Sequence, residues 1–238
     1  SMAEKVEDVA DPEGGSLEDP PGEITMEEAT GATSTDAESE EPVDSTGHEE
    51  NVKNLRKVGG WHAAAVVAAL TLFGAAHTWS AASGWLLAAG VSIAAAVLAG
   101  IVVSSIVHEW GHFSGAYLSG SHYTVAEKPV NLYFMFDFDM QSNSVRQALW
   151  MSWGGVVGSW TPMVVLFALV PMDSLASAAL VATLAGRAFN ASYFEIPVIL
   201  NTRRTREFRK ELMSRLESPG IVQIPGLFVG LLVLAALT

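Results

Sequence analysis

The chain contains no cysteine, which excludes disulfides and thiolate metal ligands. Any metal site must therefore be built from His, Asp or Glu. Charge is also scarce: 16% of the 238 residues are charged, against roughly 25% in soluble domains. Half of the residues are hydrophobic, a balance that excludes an ordinary soluble domain. Basic residues are nearly missing from the beginning of the chain. Residues 1–50 hold 17 of the 26 acids and a single base, Lys5, whereas the remaining 188 residues hold 9 acids and 12 bases. The net charge of −13 thus belongs to a tail, and the body is apolar and slightly basic. No nucleic-acid partner is expected of such a body. No cleavable signal peptide is visible, because the N-terminus is acidic and lacks an apolar run. Ser1 ahead of Met2 reads as the remnant of a removed tag.

Residues 1–52 contain one Ile, one Leu and no aromatic residue. They cannot bury enough apolar surface to offset chain entropy, and they are expected to be a disordered acidic tail. Such a tail is either a solvated extension or a docking segment for a regulatory partner. Residues 53–238 read as one membrane-embedded domain. Five segments there read as long and apolar enough to cross a bilayer, which needs about 20 residues. They are Trp61 to Trp79, Gly84 to about Val107, Gln147 to Pro171, Ser174 to Leu200, and Gly220 to Thr238. The fold class expected is all-α and polytopic, with about five transmembrane helices.

The loops orient these spans. Lys53, Arg56 and Lys57 precede the first, Lys128 and Arg146 lie between the second and third, and six bases from Arg203 to Arg215 lie between the fourth and fifth. Loops 80–83 and 172–173 carry none. The positive-inside rule then predicts a multi-pass cell-membrane protein with a cytosolic N-terminus and an outside C-terminus. The 202–217 segment reads as a basic amphipathic helix, with Phe208, Leu212 and Leu216 on one side and Glu211 placed to pair with Arg215. It is expected to lie on the inner leaflet against membrane lipids, with Ser218-Pro219-Gly220 ending it.

The segment between the second and third spans has a different texture. Val130, Leu132, Phe134, Phe136, Phe138 and Met140 alternate with Asn131, Tyr133, Asp137 and Asp139, the period of a strand. His122–Val125 is its expected partner, with Ala126-Glu127-Lys128-Pro129 as the turn. Such a β-hairpin can dip into the membrane where protein or a wet cavity covers its edges.

The end of the second span carries the chemistry: His108-Glu109-Trp110-Gly111-His112, an H-E-x-x-H motif. On a helix the two histidines share one face and can reach one metal, and Glu109 stands where it can serve as a general base. Ionisable groups at the end of an otherwise uncharged span are candidates for function, because placing them there is costly. Zinc needs a third protein donor and an open position. With cysteine absent, that donor is His, Asp or Glu. Asp173 lies on the wrong side of the membrane, and Glu207, Glu211 and Glu217 lie on the surface helix. The remaining candidates are Glu195 and the hairpin acids Asp137 and Asp139, with His122 a further alternative. Glu195 matches the depth of the histidines and precedes Pro197, which is expected to open the helix there, and it is the preferred choice.

Through His108, Glu109, Gly111, His112 and Ala116 the chain resembles the site-2 protease family, whose extended pattern is H-E-x-G-H-x-x-x-A. The resemblance covers residues 61–201 in layout. It implies one zinc ion held by His108 and His112, Glu109 as the catalytic base, and cleavage of transmembrane segments of protein substrates. The chain departs from the family in two places. Gly154-Gly155-Val156-Val157-Gly158-Ser159 has Val156 where the family has proline and Ser159 where it has asparagine. No leucine-aspartate-glycine triplet is present; Glu195 stands nearest to it.

Several other residues have open roles. Ser159 reads as a polar helper, and the glycines beside it as close helix packing. Arg187 can pair with an acid, steady Glu195 or stabilise an oxyanion. Asn190 can bind substrate backbone or join two helices. His62 and His77 read as interface histidines. The function expected is intramembrane zinc-dependent endopeptidase. The alternative is a non-catalytic membrane protein of the same scaffold that holds a partner helix. A transporter using Glu109, Glu195 and Arg187 as a relay is less consistent with five spans and no internal repeat.

Overall fold

The computed structural model describes residues 45–130, 133–217 and 219–238. Residues 1–44, most of the expected tail, lie outside these. The elements in order are α1 (Ser45–Ser83), α2 (Leu86–Leu118), β1 (Tyr123–Val130), β2 (Phe134–Phe138), α3 (Val145–Leu169), α4 (Leu175–Thr205), α5 (Phe208–Leu216) and α6 (Pro219–Leu237). The chain is thus mostly helical, with one two-stranded hairpin between α2 and α3.

The helix α1 begins at Ser45, inside the stretch expected to be disordered up to residue 52. Tertiary contacts support this extension. Asn51 Nδ2 donates to Tyr123 O (3.2 Å) and its Oδ1 accepts from Val125 N (2.8 Å). Asn54 Nδ2 donates to Val125 O at 3.2 Å, and Lys57 pairs with Glu127. Val58 packs against Met135, Val125 and Phe113. The second to fourth turns of α1 are therefore the anchor of the hairpin. Trp61 and Trp79 are both exposed, as expected of aromatic belts.

α2 packs against α1, α3 and α4. It ends in a Schellman motif: Ser121 N–H donates to Ala116 O and Gly120 N–H to Tyr117 O, with Gly120 at φ 65°. That left-handed glycine turns the chain out of the motif helix and into β1. α3 starts at a capping box in which Ser144 and Gln147 satisfy each other's backbone N–H groups. It runs antiparallel to α2, since Val107 lies by Gly158, Gly111 by Gly154 and Gly115 by Trp150. A Cβ on Gly111 would collide with Gly154 O, and one on Gly154 with Gly111 O. The glycines are thus what lets two backbones touch, as small residues do in membrane helices. The same device joins α4 to α6, where Gly186 and Gly226 face each other. The core between α1, α2 and α4 is built of Ala95, Ala96, Ala99, Ala176 and Ala179 around Leu180 and Leu184.

Three expectations are corrected here. First, the turn of the hairpin is not Ala126–Pro129: those residues belong to β1, and the chain reverses after Val130, which pairs with Phe134. The register jumps between Val125 and Val130, so Pro129, which cannot donate to a ladder, falls in an irregular stretch. Asn131 and Leu132 lie outside the described residues. The inward alternation also fails, because Met135 is fully buried while Phe134 is 47% exposed. Second, α4 does not open at Pro197 but continues to Thr205. Proline leaves the carbonyl four residues earlier without an N–H, and Arg215 Nη2 reaches that carbonyl, Tyr193 O, at 3.5 Å. Third, 202–217 is not one surface helix. Arg206 at φ 62° separates α4 from α5. Phe208 then packs with Phe138, Ala148, Met151 and Val198, and Leu212 lies against this cluster. Phe208 and Leu212 of α5 therefore meet protein, whereas Leu216 is exposed. Arg215 stacks over Tyr193 and forms no ion pair with Glu211 among the described residues; Glu207 and Lys210 pair instead, at 2.8 Å.

Three described helical stretches are long and apolar enough to cross a membrane: Gly47–Ser83, Leu86–Leu118 and Val145–Leu169. α4 has the length but carries Arg187 and Glu195, with Arg203 and Arg204 in its last turn. The described apolar run of α6, Gln223–Leu237, is shorter than the roughly 20 residues a crossing needs.

Candidate metal centre

His108 and His112 lie one turn apart on the face of α2 that meets α3. Their rings stand edge to face, with centroids 4.5 Å apart. Each ring is held from α3 by its Nδ1. His112 Nδ1 lies 3.0 Å from Met151 O, and His108 Nδ1 lies 3.1 Å from Gly155 O and 2.7 Å from Ser159 Oγ. Residues 151, 155 and 159 follow one another at single-turn intervals, so one stripe of α3 serves both rings. A carbonyl can only accept, so Nδ1 of each ring carries the proton and donates. Each neutral ring is then left with a lone pair on Nε2. Ser159 Oγ gives its own proton to Gly155 O at 3.0 Å and is free to accept from His108.

The two Nε2 atoms face each other at 3.1 Å. Glu195 Oε1, from α4, lies 3.4 Å from His108 Nε2 and 3.2 Å from His112 Nε2. Glu195 is buried, and its Oε2 has no hydrogen-bond partner. Three electron-pair donors thus converge on one point in a helical interior, an arrangement that repels itself without a cation between them. The spacings suit a small ion. A tetrahedral ion bound at about 2.0–2.1 Å places its ligand atoms about 3.3 Å apart, and the three edges measured here are 3.1, 3.2 and 3.4 Å. His108, His112 and Glu195 can therefore hold a metal ion. Of the expected donors, these are the ones the fold brings together.

Glu109 is outside the triangle. It is buried, and its Oε1 accepts from Met135 N–H at 3.3 Å. The motif glutamate is therefore held by β2. The hairpin acids do not approach the histidines. Asp139 Oδ1 accepts from the N–H groups of Gln141 (2.8 Å) and Ser142 (3.2 Å). The Ser142 hydroxyl and these two N–H groups hold its carboxyl below the usual range. Asp137 and His122 are exposed on the hairpin side. His77 lies against Phe73 near the far end of α1, the ring centroids 5.8 Å apart. His62 is corrected from an interface residue to a buried one, 2% exposed, whose Nδ1 accepts from Trp110 Nε1 at 3.1 Å.

Arg187 meets no acid among the described residues. Its Nε donates to Ser104 Oγ (3.3 Å) and its Nη2 to Ser105 Oγ (2.9 Å). Asn190 packs on Gly226 across the α4–α6 contact, and its buried Oδ1 has no hydrogen-bond partner among the described residues. The residues that sequence reasoning missed act through the backbone: Met151 O and Gly155 O orient the histidines, and Met135 N–H orients Glu109. Backbone groups leave no residue-type signal. Only the regular spacing of Met151, Gly155 and Ser159 hinted that one face of α3 was in use.

No protein-family model, curated protein or solved structure matches the chain.

Proposed function

We propose that the chain is an intramembrane zinc-dependent endopeptidase that cleaves transmembrane segments of other proteins. The observation that carries this reading is the convergence of His108 Nε2, His112 Nε2 and Glu195 Oε1 inside a bundle of apolar helices, with Glu109 buried beside them. Zinc fits the donor set of two imidazoles and one carboxylate, which leaves a fourth position open. The chemistry zinc supplies when bound is Lewis acidity toward water and toward a carbonyl oxygen. Glu109 takes a proton from the attacking water as the new C–O bond forms. It then delivers that proton to the amide nitrogen as the C–N bond breaks, leaving a carboxylate and an amine. Ser159, Gly155 and Met151 keep both rings in the tautomer that offers Nε2 inward. Burial of Glu109 excludes bulk water from the base, and Met135 N–H keeps its carboxylate aimed.

A substrate helix hides its amides in its own hydrogen bonds and must unwind before it is cut. Met135 gives its N–H to Glu109, so β2 lies beside the base, and its other edge has no strand partner among the described residues. An extended substrate segment added to that edge runs alongside Glu109 with its freed amides satisfied. On this reading α1, α2, α3, α4 and α6 are all spans, with α4 and α6 completed by their neighbours. The basic loops then place the N-terminus inside and the C-terminus outside.

The test is direct. Purified protein is analysed for zinc per chain, and the wild type and Glu109→Gln are incubated with model transmembrane substrates. Zinc in both proteins and cleavage by the wild type alone is the expected result. Zinc without cleavage of any substrate would favour a helix-binding protein on the same scaffold.

A further inference from the structure

Beside the metal centre lies a cavity of about 250 Å³ between α2, α4 and the start of α6, lined by Ser104, His108, Arg187, Glu195, Arg215 and Gln223. Its charge is unbalanced. Two guanidinium groups face it, and its single acid, Glu195, is engaged with the histidines. Arg187 donates to two neutral serine hydroxyls and Arg215 to a carbonyl. The ion pairs among the described residues involve neither arginine. A permanently charged side chain at the middle of a membrane helix is costly and is ordinarily matched by an opposite charge. Here none is paired with it among the described residues, and the two serines fix the guanidinium in one orientation.

We propose that Arg187 recognises a carboxylate of the substrate next to the bond that is cut, so that the enzyme selects acidic segments. The inference rests on the endopeptidase reading for the identity of the ligand and deepens it. An arginine fork matches a carboxylate better than any neutral group. The cavity is too small for an intact helix, whose diameter is about 10–12 Å, and suits the side chains of an unwound segment. Position follows from α2. Ser104, which holds the guanidinium, lies one turn before His108, about 6 Å along the axis. An extended chain covers that distance in about two residues. The preferred acid therefore stands within two residues of the scissile bond. A free C-terminal carboxylate offers the same chemistry, and the experiment separates the two sources.

The probe is a fluorescein-labelled apolar peptide, amidated at its C-terminus, with one Glu walked through successive positions. Twins carry Gln in its place, and one twin has Gln and a free C-terminus. Binding is read by anisotropy on zinc-loaded Glu109→Gln protein in detergent, which separates recognition from cutting. The Glu peptide is expected to bind about 10- to 100-fold tighter than its Gln twin at one position, the worth of a charge-assisted hydrogen bond. Arg187→Gln removes this preference. Arg187→Lys keeps the charge without the fork and retains part of it, and supplies the readout if Arg187→Gln does not fold. Tight binding of the free C-terminus alone also supports the site and assigns the anion to the main chain. Equal binding of Glu, Gln and free-terminus peptides overturns the inference, as does a full preference in folded, zinc-loaded Arg187→Gln. Cleavage by the wild type without any charge preference sinks the inference and leaves the peptidase reading standing. A preference abolished by Arg187→Gln with no cleavage by the wild type does the reverse.

Discussion

Replacing Gly155 with alanine tests the geometry of the centre without touching a donor. A Cβ at that position would lie 2.5 Å from His112 Nε2 and 2.7 Å from its Nδ1, where ordinary contact begins at 3.4 Å. The ring, whose Cε1 lies nearer still, must therefore retreat by at least roughly 0.9 Å, the gap between the Nε2 distance and ordinary contact. Metal sites hold their bond lengths within about 0.2 Å, so a shift of this size takes His112 Nε2 out of reach. The same movement stretches the bond from His112 Nδ1 to Met151 O, now 3.0 Å. Repositioning an orienting partner alone costs about 10- to 100-fold in metal affinity, and losing a donor costs more, so at least a 100-fold weakening is expected. The fold should survive, because the colliding atoms belong to a side chain and overpacking typically costs about 1–3 kcal/mol. Gly154→Ala is the contrasting variant: its Cβ meets the backbone of Gly111, so the helices must part and thermal stability must fall. The assay is zinc per chain after dialysis against a graded chelator, with Tm in detergent read in parallel. If folded Gly155→Ala binds zinc as tightly as the wild type, His112 is not a ligand in this orientation and the proposed centre is wrong.

Other outcomes follow from the same geometry. Glu109→Gln should retain zinc and lose cleavage by about 10²- to 10⁴-fold, the usual contribution of a general base; undiminished cutting would refute its role. Glu195→Ala should lose zinc, while Asp137→Ala and Asp139→Ala keep it, and the opposite pattern in metal analysis would move the third ligand to the hairpin. Asn51→Ala removes two bonds from α1 to β1 and should cost about 2 kcal/mol or more, read as a lower Tm and faster proteolysis of the hairpin; an unchanged Tm would show that Asn51 does not anchor it. Tags on sealed vesicles should place the N-terminus on the cytosolic side and the C-terminus outside, and protection of both on one side would exclude five spans.

The sequence by itself determined the paired histidines of this centre and the frame around them. The scarcity of charge made α1, α2 and α3 legible as apolar helices. The i, i+4 spacing made His108 and His112 legible as a pair, since helical geometry alone puts them on one face. With no cysteine, a short list of acids remained for a third donor. Depth already favours Glu195 over Asp137 and Asp139, but only the tertiary structure brings it to the pair, because Glu195 is 83 residues from His112 in sequence and meets it only through helix packing. Packing also decided which groups orient the rings, since backbone carbonyls carry no residue identity, and it buried His62 under Trp110. The errors share one cause. Local propensity misplaces Pro197, the 202–217 segment and the start of α1, and in each case distant contacts prevail. Arg215 reaches the carbonyl that Pro197 leaves free, the cluster around Phe138 takes up Phe208, and β1 holds the early turns of α1. Local pattern sets what a segment can be; the partners that satisfy its polar groups and bury its apolar face decide what it is.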